Sequence, residues 1–205
     1  IYSWQLKKTD LHGQNFDISF PGNSYSLWTP LLGEHQLENA ATSLAALNVL
    51  KSLGFPVSDK AIVEGFRQVD WPGRMQILSD DPLLVVDGAH NPYSIAKLRQ
   101  AIVKQFPDSP IRLVFGANTG KNLYAMICEL APIASAVTIC TSRTPHATST
   151  KLLSELFQRY KINSVEIGNV GMAVRSAIKE TLPNELILVT GSIFVVAEAI
   201  EEVKG

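Results

Sequence analysis

Apolar and polar positions change their spacing along the chain, and the change divides it. The first 32 residues alternate in short runs broken by Gly and Pro, which predicts strands at Tyr2 to Leu6, Phe16 to Phe20 and Ser24 to Trp28. Three strands are too few to bury a core alone, so they are expected to complete a sheet belonging to something else. Helical spacing follows. Leu37, Ala41, Leu44 and Leu47 share a face of a helix opened by Gly33-Glu34-His35-Gln36 and ended by Gly54. Ser58 is placed to cap a second helix carrying Ile62, Phe66 and Val69, which Trp71-Pro72-Gly73 brings to a stop. The expected domain boundary lies there, giving pieces 1–72 and 73–205.

Beyond Arg74 the pattern becomes regular. Apolar runs at Leu83–Val86, Ile111–Phe115, Ala136–Cys140, Ser164–Ile167 and Leu186–Thr190 alternate with helical segments at Tyr93–Phe106, Asn122–Ala131, Thr150–Tyr160, Gly171–Thr181 and Phe194–Val203. The strands begin about 25 residues apart, the length of a strand, a helix and two short connections. Runs that are apolar throughout belong to strands buried on both faces. The predicted fold is therefore α/β, an open, doubly wound, mostly parallel sheet, with Arg74–Leu78 as an added edge strand.

Such a sheet gathers ligands beyond the carboxyl ends of its strands. The residues there are Asp87-Gly88-Ala89-His90-Asn91-Pro92, Gly116-Ala117-Asn118-Thr119-Gly120-Lys121, Thr141-Ser142-Arg143-Thr144-Pro145-His146 and Thr190-Gly191-Ser192. No G-x-G-x-x-G follows a strand and no G-x-x-x-x-G-K-[ST] occurs, which argues against a dinucleotide fingerprint and a P-loop within this chain. Asp87 at a strand tip suits a ribose diol, and equally suits the backbone donors of its own loop. Asn91-Pro92 suits a helix cap and first turn, which leaves His90 without a structural duty. Arg74 offers a guanidinium for a phosphate, or a solvated surface charge. Asn39 is mildly unfavourable in its helix, a cost that an adenine contact would offset and solvent exposure would remove. Lys121 opposes the dipole of the helix it precedes, which suits an anion site as well as a solvated lysine. Ser192 fits a substrate contact or a cap.

Charge and composition narrow the partners. A net charge of -1 with no like-charge run gives no nucleic-acid footprint, and 46% apolar residues suit a globular core. No apolar stretch is long enough to span a membrane, and the first residues do not form a leader peptide. His12, His35 and His146 do not form a metal set. Cys128 and Cys140 read as buried thiols in a reducing compartment, which places the chain in the cytoplasm. The missing initiator Met is compatible with a processed or excised fragment.

Five segments occur in order: Gly33-x-His35-Gln36-x-x-Asn39-Ala40, Trp71-Pro72-Gly73-Arg74-Met75-Gln76, Asp87-Gly88-Ala89-His90-Asn91-Pro92, Val114-Phe115-Gly116 and Leu188-Val189-Thr190-Gly191-Ser192. Together they resemble the folylpolyglutamate synthase and bifunctional dihydrofolate synthase family, from about Leu32 to Glu198. The related Mur peptide ligases share part of the set, and Asp87-Gly88 with Met75-Gln76 favours the folate branch. The resemblance implies a Rossmann-like Mur ligase C-terminal domain preceded by the tail of a truncated ATP-binding domain. It implies an ATP-dependent ligase that joins L-glutamate to a folate or dihydropteroate carboxylate through an acyl phosphate. ATP and Mg²⁺ would serve the intact enzyme, whose P-loop and metal ligands lie upstream. No metal ligand is expected in this chain, and no cofactor is expected to bind it tightly.

By position the resemblance assigns Asn39 to adenine, Asp87 to ribose and Arg74 to the phosphates. It puts His90 near the phosphates and gives the incoming glutamate to Ser192 and the strand-end loops; His90 and Lys121 are the candidate catalytic groups. Two departures stand out. Gly120-Lys121 replaces the family's usual Asp-Lys, and Pro145-His146-Ala147 replaces Pro-Arg-Ala, leaving Arg143 as a candidate spatial substitute. The competing readings are a Mur-type peptide ligase fragment and a stand-alone nucleotide- or ligand-binding module.

Overall fold

The structure is a computed structural model that describes residues 2–205. The chain divides into two compact units, Ile1–Pro72 and Gly73–Gly205.

In the first unit, β1 (Ser3–Thr9), β2 (Gln14–Phe20) and β3 (Asn23–Thr29) form an antiparallel meander in sequence order. Phe16 lies opposite Leu27 and Ile18 opposite Tyr25, so alternate side chains build one apolar face. Helices α1 (Glu34–Ser52) and α2 (Asp59–Arg67) supply Leu37, Ala40, Ala41, Leu44 and Ile62 to that face. The three strands thus share a core with their own helices, where the sequence had suggested a sheet completed elsewhere. No side chain caps α1 at Gly33. Instead the buried Gln14 amide donates to the carbonyls of Leu31 (2.6 Å) and Gly33 (3.1 Å) and fixes the chain entering the helix. Ser58 does cap α2, accepting the Ala61 N–H at 3.1 Å. The helix ends at Arg67, so Val69 lies outside it. A proline ring clashes with the carbonyl four residues back, which for Pro72 is that of Gln68, the residue where helical geometry stops.

The second unit contains β4 (Gln76–Asp80), β5 (Leu83–Asp87), α3 (Pro92–Gln105), β6 (Ile111–Phe115), α4 (Leu123–Leu130), β7 (Ala134–Ile139), α5 (Thr150–Gln158), β8 (Ser164–Glu166), α6 (Val170–Glu180), β9 (Leu186–Thr190) and α7 (Ile193–Lys204). Its six-stranded sheet has the order β4-β5-β9-β6-β7-β8, with β4 antiparallel and all other pairs parallel. The edge strand starts two residues later than the apolar run predicts, because Met75 holds a positive φ of 40° that no strand accommodates. One face of the sheet, with Leu84, Val86, Val114, Ile187 and Val189, packs on α6 and α7. The alternate residues Val85, Leu113, Phe115 and Leu188 are equally buried. Phe115 meets Phe157 of α5 edge-on at 5.7 Å. Burial on both sides explains the unbroken apolar strands.

Of the two cysteines, Cys140 is buried and burial, with the nearby Glu198 charge, pushes its thiol up to about 12. Cys128 is exposed, contrary to expectation, because α4 turns Met126, Ile127 and Leu130 inward and leaves position 128 between them. No helix among the described residues is long and apolar enough to cross a membrane.

At the amino end of the sheet a carboxylate joins three strands. Glu185 accepts from Arg112 Nε (2.9 Å), Ser135 Oγ (3.0 Å) and the Leu182 N–H (3.1 Å), with 3% and 11% of the Glu185 and Arg112 side chains exposed. Burial raises the carboxyl, but these donors outweigh it and hold the group below its ordinary value. A lowered folded-state value means that this stabilisation is present above the ordinary carboxylate range and is lost as pH falls through it. Arg112→Ala strands the buried charge and is expected to cost about 3 kcal/mol of unfolding free energy at neutral pH, with a smaller cost at acid pH, as measured by urea denaturation.

Candidate functional site at the carboxyl rim of the sheet

The topology sets where loops diverge. From β5 to β8 the chain moves outward with α3, α4 and α5 as its crossovers, and α6 then returns on the opposite face to insert β9 between β5 and β6. Helix α7 leaves β9 on that same face, so the loops after β9 and after its two neighbours turn opposite ways. This arrangement opens a crevice beyond β5, β9 and β6.

The three strand ends are bonded to one another. Thr190 Oγ1 donates to the Asp87 carbonyl at 2.7 Å, and the Gly191 N–H donates to the Ala89 carbonyl at 3.1 Å. Gly191 has φ +104°, and a Cβ there would fall 2.5 Å from the Gly116 carbonyl oxygen. Only glycine permits that approach. Ser192 caps α7, accepting the Phe194 N–H at 3.3 Å, and its hydroxyl also donates to Asn118 Oδ1 at 3.3 Å.

Asp87 closes the crevice floor. It is 4% exposed; Oδ2 accepts the Met75 N–H at 2.9 Å and Oδ1 the Ala89 N–H at 2.8 Å. The Gly88 N–H reaches the Gly73 carbonyl at 2.8 Å, and Gln76 Oε1 accepts the Gly73 N–H at 3.0 Å. The Gly73 carbonyl and the Met75 N–H thus hold the turn against the 87–90 loop, and the Gln76 side chain closes the turn on itself. Burial pushes the Asp87 carboxyl up, while the two amides and the charges of Arg74 and His90 pull it back. Of the two uses the sequence allowed for Asp87, the loop-donor use is the one its bonds serve.

His90 has a structural duty that its sequence position did not show. Its Nδ1 lies 2.9 Å from the Gly88 carbonyl. A carbonyl only accepts, so Nδ1 carries a proton, which makes Nε2 the lone-pair nitrogen whenever the ring is neutral. Its backbone N–H donates to Ser94 Oγ at 3.1 Å. Asn91 and Ser94 form a capping box, and Pro92 stands in the first turn of α3.

Residues 73–193 match the family Mur ligase, glutamate ligase domain. This chain belongs to that family. Over 89% of its length it is 36% identical to a probable bifunctional folylpolyglutamate synthase/dihydropteroate synthase of Halobacterium salinarum, of which it spans 22%. It is similar throughout to the crystal structure of folylpolyglutamate synthase from Thermotoga maritima (TM-score 0.81, 28% identity, 99% of this chain and 46% of that one). It is similar also to a bifunctional folylpolyglutamate synthase/dihydrofolate synthase of Yersinia pestis complexed with AMPPNP and Mn ion (TM-score 0.81, 25% identity, 98% and 46%). The chain therefore spans less than half of each of these relatives.

Within this glutamate ligase domain, Arg74, Asp87, His90 and Ser192 converge on one rim. Lys121 lies exposed in the β6–α4 loop, ahead of Asn122, which is the residue that caps α4. Asn39 belongs to the first unit, where it is exposed on α1 and donates to Gln36 Oε1 at 3.1 Å. Arg143 is no free substitute for a missing arginine, because Glu198 and Glu201 take its guanidinium. His146 is exposed, and its carbonyl accepts the Thr119 N–H at 2.8 Å. Sequence reasoning gave no role to Asn118, whose place three residues past a strand end was the available signal. No group of three or more His, Cys, Asp or Glu side chains is placed to hold a metal among the described residues.

Gly191→Ala is expected to cost about 3 kcal/mol, since it combines a left-handed backbone with a carbonyl clash. Gly22→Ala is the control. Its φ of +82° is similar but nothing lies within 4 Å of the added Cβ, so about 1 kcal/mol is expected in the same urea titration.

Proposed function

We propose that this chain forms the C-terminal part of an ATP-dependent folylpolyglutamate synthase/dihydrofolate synthase, with residues 1–72 as the tail of its ATP-binding domain and residues 73–205 as its glutamate-ligase domain. The observation that carries this reading is the convergence of the Gly73–Gln76, Asp87–Pro92 and Thr190–Ser192 segments on one rim of a sheet of the glutamate ligase family. The relatives named above, and the AMPPNP and Mn ion in one of them, support it.

The residues present fit a nucleotide and an amino-acid substrate in distinct ways. Arg74 sits on a turn fixed by Asp87, so its backbone is already held at the rim where its guanidinium would meet a phosphate. Asp87 serves a nucleotide through that turn, and a ribose contact at its 4% exposed edge is secondary. Asn39 is free to offer its amide to adenine after exchanging its Gln36 bond. Mg²⁺, when bound, would neutralise charge during phosphoryl transfer, with ligands expected from outside this chain. Lys121 is placed to add positive charge at the same rim.

The reaction needs activation because a carboxylate is a poor electrophile. Its oxygen attacks the terminal phosphoryl group of ATP, ADP leaves, and an acyl phosphate forms. The glutamate amine then attacks the acyl carbon, phosphate departs and the nitrogen loses a proton. His90 Nε2, the acceptor nitrogen of the neutral ring once Nδ1–H is turned to the Gly88 carbonyl, is suited to accept that proton. Ser192 and Asn118 present neutral hydrogen-bonding groups to the amino acid. The substrates are thus a folate or dihydropteroate carboxylate, L-glutamate and ATP.

Steady-state ADP release tests the reading. The full-length protein carrying this chain is expected to release ADP only when folate, glutamate and ATP are all present, and residues 1–205 alone are expected to release none. Turnover by this chain alone, or dependence on cell-wall peptide precursors in place of folate, contradicts it. Arg74→Ala in the full-length protein is expected to raise KM for ATP about tenfold while leaving KM for glutamate nearly unchanged.

A further inference from the structure

Helix α7 meets the rim at two places. At its start Ser192 donates to Asn118 in the β6 loop (3.3 Å), and farther along Glu198 Oε1 accepts the backbone N–H of Arg143, in the loop after β7, at 2.7 Å. The two loops are bonded to each other: Thr148 N–H to the Ala117 carbonyl and Thr119 N–H to the His146 carbonyl, both 2.8 Å, with a bridge between Asn118 and Ala147. Helix, first loop and second loop therefore form a closed ring. Along it Ser142 Oγ and Thr148 Oγ1 are buried without a hydrogen-bond partner among the described residues. Buried hydroxyls left unpaired are costly, and a ligand can satisfy them.

The link to Glu198 has two parts of unequal weight. The Arg143 guanidinium is 71% exposed and its partner Glu201 65% exposed, so that ion pair contributes little. Glu198 is only 12% exposed, and a carboxylate accepting a backbone N–H in such surroundings makes a strong, directional bond. What holds the loop is the acceptor atom.

We propose that Glu198 is a positioning residue: by accepting the Arg143 backbone N–H it holds the 141–148 loop against the 117–119 loop and so shapes the subsite for the incoming amino acid. The location of that subsite rests on the function proposed above. The ring's neutral groups, the Asn118 amide and the Ser142, Thr148 and Ser192 hydroxyls, suit the carboxylate and amine of an amino acid.

The test compares variants that separate the acceptor from the charge. In the full-length ligase, Glu198→Ala is expected to raise KM for glutamate about tenfold, with KM for ATP and folate within about twofold of the parent. Glu198→Gln keeps an acceptor oxygen, and Arg143→Ala keeps the backbone N–H, so both are expected within about threefold of the parent. Should Glu198→Ala fail to fold, Glu198→Asp serves, because it keeps the charge but withdraws the acceptor and is also expected to raise KM for glutamate. Equal shifts in all three KM values, or a Glu198→Gln defect as large as that of Glu198→Ala, overturn the proposal. Amide exchange on residues 1–205 is the independent arm. The Arg143, Thr119 and Thr148 amides are expected to exchange faster in Glu198→Ala and unchanged in Arg143→Ala, and unchanged exchange in Glu198→Ala overturns the latch. If the parent ligase shows no glutamate-dependent ADP release, the functional reading fails and exchange alone decides the latch.

Discussion

A carboxylate removed from water at the end of a strand must collect donors or lose its charge, and Asp87 collects them from two segments, the turn before β4 and its own loop. One oxygen takes the amide of Met75 and the other that of Ala89, so a single buried side chain ties the turn entering the sheet to the loop leaving β5. The geometry of the rim follows from this tie. Met75 is held at a φ that a non-glycine residue rarely adopts, Arg74 is carried on the turn beside it, and His90 directly follows the residue that makes the far bond. The raised carboxyl is the electrostatic cost of so dry a junction, and the charges of Arg74 and His90 reduce it.

Much of the second unit was legible because its strands are buried on both faces. Ile111–Phe115, apolar except for Arg112, and Leu186–Thr190, apolar up to its last residue, coincide with the strands. The caps Ser58, Asn91 and Ser192 were legible too, since a short polar side chain before an apolar helix has few other uses. Misreadings arose where a tertiary constraint overrides local pattern. Nothing in Arg74-Met75 announces a positive φ, so the pattern predicts β4 two residues too early. Cys128 lies in an apolar stretch, but the phase of α4 turns it outward. The three N-terminal strands looked orphaned because the helices that cover them follow in sequence.

The site was legible as a set of segments and much less as a set of roles. Strand-end position identified Asp87, His90 and Ser192, since a parallel sheet sends those positions to one rim. It did not show that the Asp87 oxygens face backbone amides, that His90 leans on the Gly88 carbonyl, or that Arg143 is taken by α7. The Arg143 contacts depend on partners distant in sequence, and the rim as a whole on β9 being inserted between β5 and β6, an order that no local pattern encodes. The Ala89 and Gly88 contacts are local and follow from how the loop after β5 turns. The same insertion explains Gly191, where the backbone leaving β9 approaches that leaving β6 too closely for a Cβ.

A crystal structure of Asp87→Ala tests the tie most directly. With the carboxylate gone, the account requires Met75 to leave its left-handed conformation and Arg74 to shift away from the rim, while the six-stranded sheet keeps its register. A 73–76 turn that superposes unchanged on the parent would show that the rim is held by something other than this buried carboxylate.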